Sequence, residues 1–256
     1  MEGDFFSGVE QIEMSMGDFK AKLPLFYRKA RCISAVFPAK LWRLWKVLPD
    51  MRFTPAQILP GVGAVQLAAF EYYDVDIPPY NEFAIGVILN SPDFLQMPGY
   101  NMFRQMVRMY YDIYIHRLPV TTEIARRGGV DYYGFPKFLA SIDFADTREW
   151  VHCDLREKGS LICNLKGRKL PAKRSDIMKF FIHLYQYSQP QSAEGKMNAQ
   201  EYTMSFNPSN AQLVLGKDHP IAVELSSLLL STKPLMYLYV PSFQMILYGP
   251  ETMPLP

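Results

Sequence analysis

Apolar and polar residues alternate along several stretches of the chain, a pattern that predicts half-buried β-strands. Residues 61–73 and 82–89 are rich in Val, Ile, Phe and Tyr, and both are predicted to be strands. Residues 235–247 predict a further apolar strand pair, interrupted at Pro241. The 20 prolines are spread along the chain and interrupt long helices, so we expect many short elements.

Two stretches have apolar residues at helical spacing instead. Residues 38–48 predict a helix that has Pro38 near its start and is stopped by Pro49. Residues 218–230 predict a second helix, with Asp218 as its N-cap. Many strands and few helices, without a βαβ order, predict a mainly β fold of the α+β type. We expect an antiparallel β-barrel or cone of many short strands with a few peripheral helices.

Residues 150–166 predict a β-hairpin that turns at residues 157–159. Cys153 and Cys163 become cross-strand neighbours in it, and in a reducing compartment we expect buried thiols rather than a disulfide. The pairing that puts all six apolar side chains on one buried face joins residue 155 with 161, 153 with 163, and 151 with 165.

Length and composition suit a single domain over residues 1–256, with residues 1–24 as an N-terminal extension. A net charge of +2 without a dominant basic stripe argues against nucleic acid as a partner. No apolar run is long enough for a membrane span, and the start of the chain lacks the pattern of a signal peptide. Three cysteines do not build a disulfide framework. We therefore expect a cytoplasmic protein that binds neither nucleic acid nor membranes.

Several familiar catalytic and cofactor motifs are absent from the sequence. It contains no Walker A, G-x-G-x-x-G or G-x-S-x-G pattern. The four histidines, which are widely scattered and have no metal-ligand spacing, are His116, His152, His183 and His219. We expect neither a metal centre nor a cofactor.

One lysine lies in an unusually apolar stretch. Lys137 stands among tyrosines and phenylalanines within residues 129–140, and no charge lies closer to it in sequence than Asp131. Gly134 and Pro136 predict a fixed local turn that aims the side chain. Apolar surroundings disfavour the ammonium form, and a neutral amine can attack a carbonyl carbon. The alternative is a lysine that snorkels from a half-buried strand to solvent.

Two blocks of sequence around this lysine carry a family resemblance. They are Tyr114-Ile-His-Arg-Leu-Pro-Val-Thr-Thr-Glu-Ile-Ala125 and Gly134-Phe-Pro-Lys-Phe-Leu-Ala140, and Phe70-Glu71 and Tyr80-Asn81-Glu82 precede them. Together they resemble the core signature of the acetoacetate decarboxylase family. The resemblance spans roughly residues 25 to 250 and is strong between residues 71 and 140.

The resemblance implies an active site, residue by residue. The family's Schiff-base lysine falls on Lys137, its active-site glutamate on Glu82 and a second acidic residue on Glu71. The family's carboxylate-binding arginine falls near Arg31 or Arg28, and we favour Arg31. The glutamates could instead be structural partners of basic barrel residues, and the arginines surface charges.

One departure from the family pattern lies beside the nucleophile. The prototype decarboxylase has a second lysine directly after the first, where this chain has Phe138. Activation of the amine then depends on desolvation by Phe135, Phe138 and the nearby tyrosines, and we place both phenylalanines in the substrate pocket.

The function implied by the resemblance is decarboxylation of a small β-keto acid through a lysine Schiff base, with acetoacetate to acetone and CO2 as the type reaction. The partner is a small oxo acid, and the resemblance also implies a homo-oligomer. One alternative is a Schiff-base aldolase-dehydratase that acts on pyruvate-like oxo acids. Others are a non-catalytic binder with an aromatic-lined cavity and a structural subunit.

Overall fold

The computed structural model describes residues 4–16, 19–172 and 174–253. The strands are β1 (Ile12–Met16), β2 (Phe19–Leu23), β3 (Leu25–Lys40), β4 (Val62–Val75), β5 (Tyr80–Ile88), β6 (Tyr110–Arg117), β7 (Ser141–Asp146), β8 (Trp150–Glu157), β9 (Ser160–Arg168), β10 (Arg174–Gln186), β11 (Gln189–Ser205), β12 (Ala211–Leu215) and β13 (Met236–Thr252). The α-helices in these ranges are α1 (Leu41–Val47), α2 (Tyr100–Arg108), α3 (Glu123–Gly128) and α4 (Pro220–Leu228).

Seven strands form a closed barrel in the order β10–β11–β13–β3–β4–β5–β6. Neighbouring strands are antiparallel except at the closure, where β6 and β10 run parallel and Tyr111 lies opposite Phe180. The predicted mainly β fold, with a barrel and a few helices, is confirmed. The barrel strands are longer than expected, since β11 and β13 have 17 residues each.

β13 is one continuous strand, where the sequence predicts a strand pair interrupted at Pro241. Its register against β3 shifts between Val240 and Phe243, on either side of this proline. A β-bulge tolerates a residue without an N–H, because the bulged residue leaves the hydrogen-bond ladder. The proline therefore disturbs the pairing locally and does not end the strand.

Both predicted helices form, but they are shorter than predicted. Helix α1 begins at Leu41, because residues 38–40 continue β3 and pair with β4. Helix α4 has His219 as its N-cap rather than Asp218, since the imidazole accepts a hydrogen bond from the backbone N–H of Ile221 at 3.2 Å. No helix in the described parts of the chain combines the length and hydrophobicity that a membrane crossing requires.

A second sheet of four strands, in the order β12–β9–β8–β7, packs on the outside of the barrel. Phe37 and Leu67 of the barrel share one hydrophobic core with Leu155 and Cys163 of this sheet. A separate core fills the barrel. Side chains alternate between the two faces of a strand, so β3, β4 and β5 each contribute one face to the barrel core and the other to the shared core.

The hairpin of β8 and β9 forms with a different register from the one predicted. Its turn consists of Lys158 and Gly159, at φ angles of 48° and 82°. A register shift beside Leu155 places Cys163 opposite it, where alternation predicts residue 161. The predicted pairing was wrong because sequence alternation alone does not reveal a bulge.

The bulge also changes which side chains of the hairpin are buried. Ile162 is buried, whereas Leu161 is only half-buried. Cys153 lies opposite Leu165 rather than Cys163. Both cysteines are buried free thiols, as predicted.

The predicted N-terminal extension, residues 1–24, contains the antiparallel pair β1–β2. Its residues 1–3, 17 and 18 lie outside the described parts of the chain. Leu23 of β2 is buried in the barrel core. β2 therefore contributes to the same core that surrounds the candidate site.

Candidate active site

Lys137 lies on the segment that follows α3, and this segment runs beside residues 118–120, directly after β6. Its side chain enters the barrel from there. A π-helical turn over Gly129–Tyr133 follows α3 and ends at Gly134, whose φ of 73° is readily adopted by glycine. Two hydrogen bonds then fix the backbone on either side of the lysine: Leu118 N–H to Pro136 O at 3.2 Å and Val120 N–H to Phe138 O at 2.9 Å.

The ammonium group of Lys137 forms a buried ion pair with Glu82 of β5. The Nζ–Oε2 distance is 2.7 Å, and the two side chains are only 6% and 10% exposed. The nitrogen also lies 5.5 Å from the ring centre of Tyr80 and 5.7 Å from that of Phe135. A lysine in this position does not reach bulk water, so the snorkelling alternative does not describe it.

Three tyrosines surround the carboxylate of Glu82. Tyr72 donates a hydrogen bond to Oε1 at 3.2 Å, and the hydroxyl groups of Tyr27 and Tyr80 lie 3.1 Å apart. Burial, together with the negative charge of Glu82, raises the pKa of each of the three phenols well above its ordinary value. The tyrosines therefore remain neutral hydrogen-bonding groups throughout the neutral pH range.

A cavity of about 90 Å³ inside the barrel adjoins the ion pair. Apart from Lys137, Glu82 and Gln66, its lining consists of apolar and aromatic side chains from β3–β6, β10, β11, β13 and the chain near the lysine. A second cavity of about 30 Å³ lies between the lysine, β2 and α3. Lys137 lines both cavities, and so does Phe135.

The structure brings together three of the residues that the sequence assigns to the site: Lys137, Glu82 and Phe135. Phe138 does not line either cavity and packs instead against the core between the barrel and the second sheet. Successive side chains of an extended segment point in opposite directions, which explains the difference. Phe135 and Lys137 face the barrel interior, whereas Phe138 faces outward.

The other assigned residues lie outside these two cavities. Arg31 pairs with Glu71 at 2.6 Å and with Asp146 at 2.7 Å. Arg28 pairs with Asp76 at 2.6 Å. Phe70 and Tyr72, on either side of Glu71 in β4, line the cavity. Because side chains alternate along a strand, Glu71 points away from the barrel interior. Neither arginine is placed to hold a carboxylate bound beside Lys137.

Sequence reasoning missed the tyrosine cluster. Tyr80 could have been found, since it lies two residues before Glu82 and alternation puts both on one strand face. Tyr72 pairs with Tyr80 across the sheet, and Tyr27 comes from β3. Their positions depend on strand register, for which the sequence carries no direct signal.

The described residues contain no cluster of three or more His, Cys, Asp or Glu side chains that could hold a metal ion. The chemistry that the arrangement offers is that of an amine, a carboxylate and neutral phenols beside an apolar cavity. An amine with a carboxylate at hydrogen-bond distance can lose a proton to it and act as a nucleophile towards a carbonyl carbon.

Solved structures with the same fold include three enzymes. The crystal structure of acetoacetate decarboxylase from Legionella pneumophila subsp. pneumophila str. Philadelphia 1 has a TM-score of 0.61 and 13% identity, with 90% of this chain and 87% of that one covered. The enduracididine biosynthesis enzyme MppR complexed with pyruvate has a TM-score of 0.58 and 11% identity, with 89% of each chain covered. An acetoacetate decarboxylase-like enzyme from Sphingomonas wittichii RW1 has a TM-score of 0.53 and 14% identity, covering 90% of this chain and 92% of that one.

No curated protein matches the chain in sequence. Residues 14–220 match the family model described as acetoacetate decarboxylase. This match covers more than half of the chain, and the barrel agrees with it. The chain therefore belongs to the acetoacetate decarboxylase family.

Proposed function

We propose that the protein decarboxylates a β-keto acid through a Schiff base on Lys137. The observation that carries the proposal is a lysine only 6% exposed, 2.7 Å from a buried glutamate and facing an apolar cavity. Family membership supports lyase chemistry of this kind. Neither the geometry of the lysine nor family membership identifies the β-keto acid, so the substrate is part of the proposal.

Proton transfer within the ion pair starts the reaction. Lys137 passes a proton to Oε2 of Glu82, and the neutral amine attacks the ketone carbon of the substrate. Glu82 returns the proton to the carbinolamine oxygen, which leaves as water. The product is a protonated imine, and the hydrogen bond from Tyr72 keeps the carboxyl group of Glu82 oriented during both transfers.

The imine then acts as the electron sink for loss of CO2. The bond between the carboxylate carbon and the neighbouring carbon breaks, its electron pair forms the C=C bond of an enamine, and the C=N pair moves to nitrogen. A negative carboxylate and a positive iminium disappear together in this step. A transition state that is less charged than the reactants is favoured by apolar surroundings that exclude water. Protonation at carbon and hydrolysis by water release the ketone and free Lys137.

A second candidate is aldol condensation followed by dehydration of a pyruvate-like oxo acid. It is favoured by the fold shared with MppR, whose structures hold pyruvate and the condensation product of pyruvate and imidazole 4-carboxaldehyde. The same lysine would form the imine, and an enamine would attack an aldehyde instead of losing CO2.

An assay of substrate pairs separates the candidates. We expect release of CO2 and an equal amount of ketone from β-keto acids, above the spontaneous rate without enzyme. Consumption of pyruvate only when an aldehyde is present, without CO2, would support the second candidate and contradict the first. Turnover of neither substrate, without any covalent adduct, would favour the non-catalytic binder.

Gly129→Ala is expected to displace the lysine without unfolding the chain. A Cβ at this position would lie 2.5 Å from Cε and 3.1 Å from Nζ of Lys137. The helical backbone of residue 129 accepts alanine, at φ −70° and ψ −41°, so the side chain of the lysine must move. We expect turnover to fall by roughly 10²-fold, because small misplacements of reacting groups have effects of this size.

The control for this variant is Gly195→Ala, in barrel strand β11. Its Cβ would meet the nearest side-chain atom at an ordinary contact distance of 3.5 Å and does not press on Lys137, so turnover should fall much less than in Gly129→Ala. Steady-state kinetics and circular dichroism check both variants. Full activity of Gly129→Ala would contradict the positioning of Lys137 described above.

A further inference from the structure

The main cavity extends along the barrel well beyond the ion pair. Four successive inward-facing residues of β4 line it, from Tyr72 through Phe70 and Ala68 to Gln66. On the next strand, Glu82 lies opposite Phe70. The reacting amine is therefore near one end of this row and Gln66 is at the other.

The wall beyond Glu82 is built from small residues. Ala84 lies opposite Ala68, and Gly86 lies opposite Gln66. Both alanines line the cavity. Larger side chains at the two alanine positions would fill the cavity, so their small size leaves a channel along the two strands. The space beside Gly86 is already taken by the side chain of Ile113.

The length of this channel exceeds the length of acetoacetate. From the level of Phe70 to that of Gln66 the strand advances four residues, or about 13 Å at about 3.3 Å per residue. The carbon chain of acetoacetate has three C–C bonds of about 1.5 Å and covers at most about 4.6 Å. An acetoacetate molecule bound at Lys137 would therefore not reach the level of Gln66.

The far end of the channel is marked by a polar group. The Gln66 amide donates to the hydroxyl of Ser34 at 2.8 Å, which fixes its position. Gln66 also lines a further cavity of about 30 Å³ that reaches Met102 and Met106 of α2. Methionines are flexible and adapt to apolar groups of different shape, so this end can yield to a longer ligand.

We propose that the substrate is a β-keto acid whose ketone carbon carries an extended apolar group, rather than the methyl group of acetoacetate. This inference rests on the proposed function. The apolar group lies against Ala68 and Ala84 and ends near Gln66. Each methylene that enters the channel is removed from water, which raises kcat/KM by about four-fold until the channel is filled.

The test compares acetoacetate, 3-oxohexanoate and 3-oxooctanoate with the wild type and with Ala84→Leu. We expect kcat/KM of the wild type to rise along this series. Ala84→Leu narrows the channel, so the ratio of kcat/KM for 3-oxooctanoate to that for acetoacetate should fall at least ten-fold. A ratio measured within one variant does not depend on the fraction of folded protein.

Ala68→Leu, on the neighbouring strand β4, should lower the same ratio independently. The control is Ala145→Leu, the same substitution at an exposed position of β7, which should leave the ratio unchanged. A wild type that prefers acetoacetate, or a ratio unaffected by both channel variants, would overturn the inference. Borohydride trapping with each substrate runs in parallel. Absence of an adduct with all three would overturn the proposed function itself, and this inference with it.

Discussion

Replacing Lys137 with methionine should lower the enzyme-dependent release of CO2 from a β-keto acid by on the order of 10⁴-fold or more. Methionine fills similar space but has no amine, so no imine can form. Without the imine, electrons from the breaking C–C bond have no protonated nitrogen to accept them. The measurement is CO2 release at saturating substrate, corrected for the spontaneous reaction.

Loss of the lysine also affects stability, and the variant must be checked for folding. Removing one partner of a buried ion pair typically costs about 3–5 kcal/mol, because the other charge stays buried without compensation. The double variant Lys137→Met/Glu82→Gln leaves no unpaired buried charge at this site and should be more stable than the single variant. Thermal unfolding followed by circular dichroism measures the difference.

A matched control for the lysine is Lys179→Met, in barrel strand β10. Its side chain is 49% exposed and pairs with Glu194 at 3.6 Å, and exposed pairs of this kind contribute little. Activity and stability should both stay near those of the wild type. Substantial CO2 release by a folded Lys137→Met variant would remove this lysine from the mechanism.

Replacing Glu82 with glutamine is expected to have the second-largest effect, a loss of roughly 10²- to 10⁴-fold in kcat. The amide keeps the shape of the carboxylate and can still accept the hydrogen bond from Tyr72, but it cannot take a proton from Lys137. Formation of the neutral amine and protonation of the carbinolamine should both slow. Single-turnover trapping of the imine over time measures the combined rate of these two steps.

Glu71→Gln is the matched control for Glu82. Glu71 pairs with Arg31 and does not line the cavity. The loss of turnover in Glu71→Gln should therefore be far smaller than the loss in Glu82→Gln. Equal losses in the two variants would show that the position of the glutamate relative to Lys137 does not matter. That outcome would contradict the role assigned to Glu82.

The barrel and the lysine could be predicted from the sequence because their signals are local. Strands β4 and β5 follow from alternation and from their β-branched and aromatic residues. Lys137 is recognisable because aromatic residues within a few positions surround it. These neighbours leave a snorkelling lysine open, and the family resemblance is what favours a nucleophile at this position.

The carboxylate partner of Lys137 changes how activation of the amine is understood. Sequence reasoning relied on desolvation by Phe135 and Phe138. In the structure Phe138 packs outside the barrel, and Glu82 contacts the amine at 2.7 Å. Desolvation alone disfavours the ammonium form, whereas a nearby carboxylate favours it and can also accept its proton.

The positions of Arg31 and Glu71 could not be predicted, because a strand shifted by one residue presents its other face. Both lie beside inward-facing residues of the barrel, yet they form an ion pair on its outer side. Family resemblance gives approximate spacing, and spacing does not fix the face. The bulge in the β8–β9 hairpin defeated the predicted pairing for a similar reason.

Borohydride reduction during turnover tests the central claim most directly, because it converts an imine into a stable secondary amine. Wild-type protein is incubated with 3-oxooctanoate or acetoacetate and sodium borohydride, then digested and analysed by mass spectrometry. We predict a substrate-dependent mass increase, equal to the N-alkyl group derived from the reduced imine, on the peptide that contains Lys137. Continued CO2 release with no adduct on that peptide, or with the adduct on another lysine, would contradict the account.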